Sequence, residues 1–225
     1  MGKKLIIKGA DFSANGIAPE YTRLSCLVTT SSTQVIASPV PFTPAGRVIA
    51  EFASVTTSST KRLLFGHYAV GSSYTAKMFR FENLITYGTN NTTGMCAYVN
   101  GTTVKNCGSM TDGLKHTINA TRATVKLDNS STSMASSTTT ANISASQFGL
   151  LGQLSNNSSS DYNGVGVGVK IYSIKIYSDK DDESTLVLDA IPVKRNADDV
   201  ICLYDKISGT YLTTKDGTNP NYESL

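Results

Sequence analysis

The chain has 225 residues, of which 40% are hydrophobic and only 16% are charged, and its net charge at pH 7 is +3. Ser and Thr together supply 55 residues (27 and 28). A surface so poor in Glu, Lys and Arg disfavours long helices. Thr instead favours strands, and Ser and Gly favour turns. We therefore exclude an all-α protein and predict an all-β one.

Turn signals every eight to twelve residues are typical of a β-sandwich or barrel. The prolines at 39, 41 and 44 predict a rigid linker or edge loop, and Ser130–Ser146 permits either a loop or an exposed strand. The strands predicted in chain order are 5–7, 47–52, 62–66, 77–81, 95–99, 102–105, 115–120, 123–127, 163–169 continuing into 170–177, 186–193, 200–205 and 209–213.

The division into domains is simple, because the chain shows neither an internal repeat nor a linker long enough to separate two cores. We predict an N-terminal arm over residues 1–34 and one domain over residues 35–225. Near the start, Leu5–Ile7 is an apolar run too short for the core of a signal peptide, which favours synthesis in a cytoplasm without secretion.

Several classes of partner are disfavoured by the charge pattern. Basic runs never exceed two residues and do not interleave with aromatic residues, so nucleic-acid binding is not expected. No apolar stretch approaches the roughly 18–20 residues that span a bilayer, so membrane insertion is not expected either.

The four cysteines are widely spaced and form no C-x-x-C pair. A hairpin turn at Asn100–Gly101 would place Cys96 opposite Lys105, and Cys107 would then lie on the diagonal, too far away for a disulfide. We expect free, mostly buried thiols.

Candidate catalytic groups are sparse. His67 and His116 are far apart in sequence, and a hydrogen-bonded structural histidine in a strand is a better interpretation of His116 than a catalytic base. The glycine run 164–168 superficially resembles a dinucleotide-binding loop, but a strand follows it instead of a helix. The sequence also has no G-x-S-x-G elbow.

The carboxylates give no paired arrangement of the kind that glycosidases use. Glu51 and Glu82 are isolated on separate predicted strands, and the acidic cluster 179–183 has no glycine and no following Glu at calcium-loop spacing. A solvated turn is the better interpretation of the cluster. We expect no enzymatic activity, no cofactor and no metal.

From about residue 36 to residue 213, the order of segments resembles the concanavalin A-like jelly rolls of the laminin-G type that occur in gut Bacteroidetes and their phages. The closing pattern is the most specific part, and it is similar to one in phage head and tail fibre proteins. The opening residues 7–13 are similar to the start of such proteins. The closing pattern comprises Leu188–Arg195, Leu203–Lys206 and Gly209–Tyr211.

This resemblance implies a two-sheet antiparallel jelly-roll sandwich and a non-enzymatic structural protein of a bacteriophage virion, in a head or tail fibre or as a capsid decoration protein. The alternative is a lectin-like, carbohydrate-binding module of a gut bacterial surface protein. Carbohydrate-binding members usually stack sugars on Trp, which this chain lacks. Its eleven Tyr could substitute, but several lie on alternating strands, where burial is the simpler interpretation.

The expected partners are other virion proteins, further copies of the same chain and a host-surface glycan. A trimer is expected from the fibre resemblance, and the low charge leaves little repulsion between packed copies. We expect the N-terminal arm to anchor the chain by strand addition to a neighbouring subunit or to a sheet edge. The anchoring residues would be Leu5, Ile6, Ile7 and Phe12.

Overall fold

A computed structural model provides the structure of the protein. The residues that it describes are 20–54, 62–68, 79–84, 95–100, 103–109, 112–128, 130–133, 142–145, 148–155, 162–163 and 167–225. That part of the chain contains a 3-10 turn, Glu183–Thr185, and no α-helix. No helix there has the length and apolar character needed to cross a membrane.

The described strands form two sheets, and together they make the predicted all-β sandwich. The strands are β1 (Tyr21–Val28), β2 (Ile36–Ala37), β3 (Arg47–Ser54), β4 (Arg62–Tyr68), β5 (Phe79–Leu84), β6 (Met95–Asn100), β7 (Thr103–Ser109), β8 (His116–Thr121), β9 (Thr124–Leu127), β10 (Ser130–Ser133), β11 (Gly149–Leu151), β12 (Gln153–Ser155), β13 (Tyr162–Asn163), β14 (Val169–Tyr177), β15 (Leu186–Arg195), β16 (Ile201–Asp205), β17 (Thr210–Leu212) and β18 (Asn221–Ser224).

The larger sheet has the order β10-β9-β8-β3-β14-β1-β15-β16-β17, and β18 pairs with β1. The strands β14 and β15 pair over 174–177 and 186–190 and then separate. Strand β1 fills the gap between them: its first residues pair with β15 and its last residues pair with β14. The centre of the larger sheet therefore depends on a strand from the start of the described chain.

The smaller sheet has the order β13-β12-β4-β5-β6-β7, with β11 bridging β2 and β4. Its pairs are antiparallel apart from β12 and β4, which run parallel. Gly152 separates β11 from β12 with φ +82°, a left-handed conformation that glycine adopts without steric cost.

The main core lies between the two sheets and is built from aliphatic and aromatic side chains, which alternate with more exposed ones along strands such as β3 and β9. Phe52 of the larger sheet lies 6.1 Å from Phe65 of the smaller sheet, measured between ring centroids. Phe42 stacks on Phe148 at 5.2 Å, and all four of these rings are fully buried. These contacts hold the two layers together.

The predicted arm, residues 1–34, overlaps with the sandwich. Residues 21–28 form β1, and Leu24 and Leu27 lie in the main core. The sandwich therefore begins before residue 35. Residues 1–19 of the predicted arm lie outside the described residues. The predicted anchoring residues Leu5, Ile6, Ile7 and Phe12 are among them.

The predicted register of the β6–β7 hairpin is wrong by two residues, because Val99 pairs with Val104 instead of Thr102. Asn100 pairs with Thr103, and the two residues between them lie outside the described part. Cys96 pairs with Gly108 instead of Lys105: the register at the turn accounts for two residues of this difference, and a further shift between Cys96 and Ala97 adds the third and leaves Cys107 in the irregularity. A bulge adds one residue to a single strand, which an alternation pattern does not predict.

The predicted strand through the Gly-Val run is also wrong at its end. Val167 and Gly168 form a turn, and β14 begins at Val169. Gly168 has φ +78°, and its N–H donates to the Thr29 carbonyl oxygen at 2.8 Å. This glycine is therefore required by its backbone conformation. Residues 164–166 lie outside the described part.

Replacing Phe52 with Ala should lower the free energy of unfolding by about 3–5 kcal/mol, because it removes a fully buried ring from the contact between the sheets. Chemical denaturation monitored by circular dichroism measures the change. Leu114→Ala is the control, since this side chain is 65% exposed and its loss should change the value by no more than about 0.5 kcal/mol. Equal effects of the two substitutions would contradict the assigned core.

Candidate functional site

The larger sheet buries side chains on both of its faces near β15 and β16. Along β16, Ile201 and Leu203 belong to the main core, whereas Cys202 belongs to a second hydrophobic cluster with Ile191 and Val193. Successive residues of a strand point to opposite faces. The second cluster therefore lies on the outer face, away from the smaller sheet.

Three partly buried tyrosines pack on this second cluster, and we call them the tyrosine cluster: Tyr21, Tyr204 and Tyr211. The ring centroids of Tyr21 and Tyr204 are 4.7 Å apart, and those of Tyr204 and Tyr211 are 5.1 Å apart. Tyr204 and Tyr211 are direct cross-strand partners, so the sheet itself fixes their proximity.

Arg195 lies at the rim of the tyrosine cluster. Its guanidinium carbon is 5.3 Å from the centroid of the Tyr211 ring. The same guanidinium donates to both carboxylate oxygens of Asp198, from Nε at 2.8 Å and from Nη2 at 2.5 Å. This hydrogen bonding lowers the pKa of Asp198. The positive charge of Arg195 is therefore paired with the carboxylate of Asp198.

The turn between β16 and β17 is held by Asp205, which is fully buried. Its carboxylate accepts hydrogen bonds from the backbone N–H of Asp189 at 3.0 Å, from that of Ile207 at 3.1 Å, and from the Ser208 hydroxyl at 2.6 Å. Burial alone would raise the pKa of Asp205, but these hydrogen bonds outweigh it and lower the pKa. The carboxylate thus fixes the hairpin that places Tyr211 beside Tyr204.

The hydroxyl oxygen of Tyr211 is buried and has no hydrogen-bond partner within the described part of the chain. Burial also raises the pKa of this hydroxyl. An unpaired buried hydroxyl costs free energy, so the ring of Tyr211 contributes more to packing than its polar atom does.

A second constellation lies at the start of β8. The ring nitrogens of His116 face two carboxylates: Nδ1 is 2.7 Å from Oδ2 of Asp128, and Nε2 is 2.8 Å from Oδ1 of Asp112. Asp128 also accepts from the Thr117 N–H at 2.8 Å and has φ +52°. Because ionised carboxylates only accept hydrogen bonds, both ring nitrogens donate, which requires the imidazolium form.

The electrostatics of this constellation favour a fixed charge. Burial lowers the pKa of His116, but the hydrogen bonds that its ring donates to Asp128 and Asp112 outweigh this effect, so the pKa is raised above the ordinary 6.5. The pKa values of both aspartates are lowered, that of Asp112 chiefly by its hydrogen bond to His116. A doubly donating imidazolium cannot accept a proton, so in this form His116 is not a base. Its hydrogen bond to Asp128 instead links the start of β8 to the end of β9.

The sequence places His116 in a strand, as the structure confirms, but it does not indicate the aspartates. Asp112 lies four residues before His116, which in a straight strand is roughly 13 Å away. The turn at 112–115 brings the carboxylate back. The hydrogen bond from the Leu114 N–H to Asp112 shows how that turn is held.

Polar side chains also cross the outer face of β3, β14, β1 and β18. Glu51 pairs with Lys115 at 3.1 Å and accepts from Ser173 at 3.1 Å. Further along, Glu223 pairs with Lys170 at 2.5 Å and accepts from the Cys26 thiol at 3.4 Å. The charges in this row are thus paired with one another.

Cys26 and Cys202 are buried free thiols, as predicted for the cysteines. Burial is the main cause that raises the pKa of each to about 11, and for Cys26 the hydrogen bond to Glu223 contributes further. The thiolate is the nucleophilic form, so both groups are chemically quiet at neutral pH. The side chains of Cys96 and Cys107 lie outside the described part.

The acidic segment 179–183 is exposed, as the prediction of a solvated turn requires. Asp182 caps the 3-10 turn by accepting from the Ser184 N–H at 2.8 Å, and Glu183 pairs with Arg47. Among the described residues, no group of three or more His, Cys, Asp or Glu side chains has an arrangement that could hold a metal ion.

Comparison with known proteins adds little. No protein-family model matches the chain, and no curated protein matches it. Among solved structures, it is similar to a mutant of Trypanosoma rangeli sialidase displaying trans-sialidase activity, with 15% identity and a TM-score of 0.41. The match covers 62% of this chain and 22% of that chain, and at this TM-score it carries no argument about function.

The contribution of His116 to the free energy of unfolding should fall as the pH rises above about 6.5. The folded pKa of His116 is raised, so the contribution of the imidazolium is complete below pH 6.5 and is lost as the pH rises through the folded pKa. Urea unfolding across this range measures the slope. His116→Gln should flatten it, whereas Lys126→Gln, an exposed change on β9, should leave it unaltered. An unchanged slope in the His116 variant would refute the assignment.

Tyr211→Phe should leave the free energy of unfolding unchanged or raise it by up to about 1 kcal/mol, because it removes an unpaired buried hydroxyl and keeps the ring. Tyr177→Phe is the matched control: its hydroxyl bonds to Glu183, so its loss should cost about 0.5–1.5 kcal/mol. Thermal or urea denaturation distinguishes the two. A cost at Tyr211 as large as at Tyr177 would mean that its hydroxyl has a partner.

Proposed function

We propose that the chain is a non-enzymatic structural module of a bacteriophage virion, in a head or tail fibre or as a capsid decoration protein. Within this proposal, the module is made in the cytoplasm of the bacterial host. Its partners are other virion proteins and further copies of the chain, with a trimer as the expected assembly.

The observation that carries the proposal is the place of the closing pattern in the fold. Leu188–Arg195, Leu203–Lys206 and Gly209–Tyr211 fall on β15, β16 and β17 and their turns, and these three strands extend the larger sheet. The apolar members of the pattern are buried on both faces of the sheet. Burial on both faces gives a structural reason for this pattern to recur in phage fibre proteins.

Two features of the pattern support this interpretation. Gly209 has φ +74°, the left-handed conformation that closes the β16–β17 turn. Asp205 accepts the hydrogen bonds that hold the same turn. The closing pattern thus contains the residues that hold this extension of the sheet rigid. A fibre or decoration protein needs such rigidity more than it needs an open catalytic cleft.

Localisation tests the proposal. Phage particles from the source culture are purified on a density gradient, and peptides of this chain are quantified by mass spectrometry beside those of the major capsid protein. A constant ratio across the particle fractions is the expected result, because a structural protein has a fixed copy number. Recovery in the bacterial envelope instead would overturn the proposal and favour the lectin-like surface protein.

The oligomer is tested separately on the isolated full chain. Light scattering at micromolar concentration should give a multiple of the chain mass of 23.9 kDa. A mass of one chain at every concentration would contradict self-assembly while leaving the virion location intact, since a symmetric particle can itself supply the repeated copies.

A further inference from the structure

The larger sheet ends at an open edge, the outer side of β17. Within the described part of the chain, β17 pairs with β16 alone. The Gly209 N–H donates to the Asp205 carbonyl oxygen at 2.8 Å, so the backbone groups of Asp205 face β17. Because these groups alternate in direction along a strand, those of Tyr204 face β15, and Tyr204 and Tyr211 form a non-hydrogen-bonded pair. The N–H and C=O of Tyr211 therefore point out of the open edge, where no described residue pairs with them.

The sheet is buried on both faces as far as this edge. Leu212 of β17 belongs to the main core on the inner face, whereas Tyr211 packs on the second hydrophobic cluster on the outer face. At the adjoining turn, Ile207 is 53% exposed. A strand added to β17 would thus have apolar neighbours on both faces. Such a strand needs consecutive apolar side chains instead of an alternating pattern.

The N-terminal arm contains one such segment. Leu5–Ile7 is the only run of three aliphatic residues in the first 19, and it matches the three residues of β17 in length. All pairs in the larger sheet are antiparallel, so we place the triplet antiparallel to β17 with Ile6 opposite Tyr211. The two residues can then exchange both backbone hydrogen bonds. The Ile6 side chain would share the outer face with Tyr211, and its two neighbours would share the inner face with Leu212.

The arm is long enough to reach β17 of its own chain. The described part begins at Glu20, whose carbonyl oxygen accepts from the Asn196 N–H just after β15. A strand beyond β17 would lie four strand spacings from β1, and residue 8 would be roughly 30 Å from Glu20. The chain between them can extend to roughly 40 Å. Pairing within one chain acts at an effective concentration near millimolar, so at micromolar concentrations the chain's own arm should occupy the edge.

We propose that the open edge of β17 is a strand-acceptor site and that residues 5–7 of the same chain occupy it as an antiparallel edge strand. Of the two targets predicted for the arm, this selects a sheet edge of the chain itself. The sheet then ends in a short strand between Lys4 and Lys8, which disfavours pairing with a further chain. The pairing does not depend on the virion location, so the particle analysis and the experiments below test separate claims.

Disulfide trapping in the full chain tests the register. In the proposed register, residue 7 and Thr210 form a non-hydrogen-bonded pair, whose Cβ atoms come close enough for a disulfide. The double variant Ile7→Cys/Thr210→Cys should therefore form an intrachain disulfide under mild oxidation. Peptide mapping by mass spectrometry identifies it in the band of single-chain mass on a non-reducing denaturing gel.

Ile7→Cys/Lys126→Cys is the matched control. Lys126 is exposed on β9, at the far side of the larger sheet, and this variant should form no such disulfide. Absence of the 7–210 disulfide, or equal yields in the two double variants, would overturn the proposal. A 7–210 disulfide that joins two chains would overturn it as well, because the occupant would then be the arm of a second copy.

Hydrogen exchange of the Tyr211 amide provides a second measurement that needs no added cysteine. In the unaltered full chain this amide should exchange slowly, because the carbonyl of Ile6 accepts its hydrogen bond. Ile6→Pro removes an N–H from the pairing and should raise the exchange rate of Tyr211 at least about tenfold. Ile17→Pro alters the same residue type outside the triplet and should leave the rate unchanged. Rapid exchange of Tyr211 in the unaltered chain, or equal rates in the two variants, would contradict the proposal.

Discussion

The insertion of β1 between β14 and β15 is the constraint on which the larger sheet depends. These two strands pair at one end only, and their backbone groups at the other end find partners because β1 enters the gap. Backbone groups left unpaired inside a sheet would cost several kcal/mol. The same strand places Leu24 and Leu27 in the main core and Tyr21 on the outer face, so one element joins both hydrophobic clusters.

The main core and the second hydrophobic cluster differ in size and in what covers them. The main core is a continuous set of aliphatic and aromatic side chains between the sheets, and it determines that the chain folds at all. The second cluster is small and covered by tyrosine rings instead of a second sheet. Each aromatic ring covers a large apolar area, so three rings are enough to shield so small a cluster from water.

Strands with unbroken alternation were predictable from the sequence, as 47–52 and 123–127 illustrate, because burial on a defined face imposes a period of two. Strand β1 was not predictable in this way. A bulge between Leu24 and Cys26 shifts its alternation, and the exposed residues Thr22 and Arg23 interrupt its apolar pattern. The tyrosine cluster was not predictable from the sequence either. Its members come from opposite ends of the chain, and only the pairing of β1 with β15, and of β16 with its two neighbours, brings them together.

The pairing of β18 with β1 has a mechanical consequence. The strands are antiparallel, and Leu24 near the start of β1 pairs with Ser224 at the end of β18. A pulling force between residue 20 and residue 225 therefore acts on the same end of the ladder and opens its pairs one after another, like a zipper. Resistance to such a load is low, because the bonds break singly and not together. A fibre built from this module would bear tension better through its sheet faces than through the two ends of the chain.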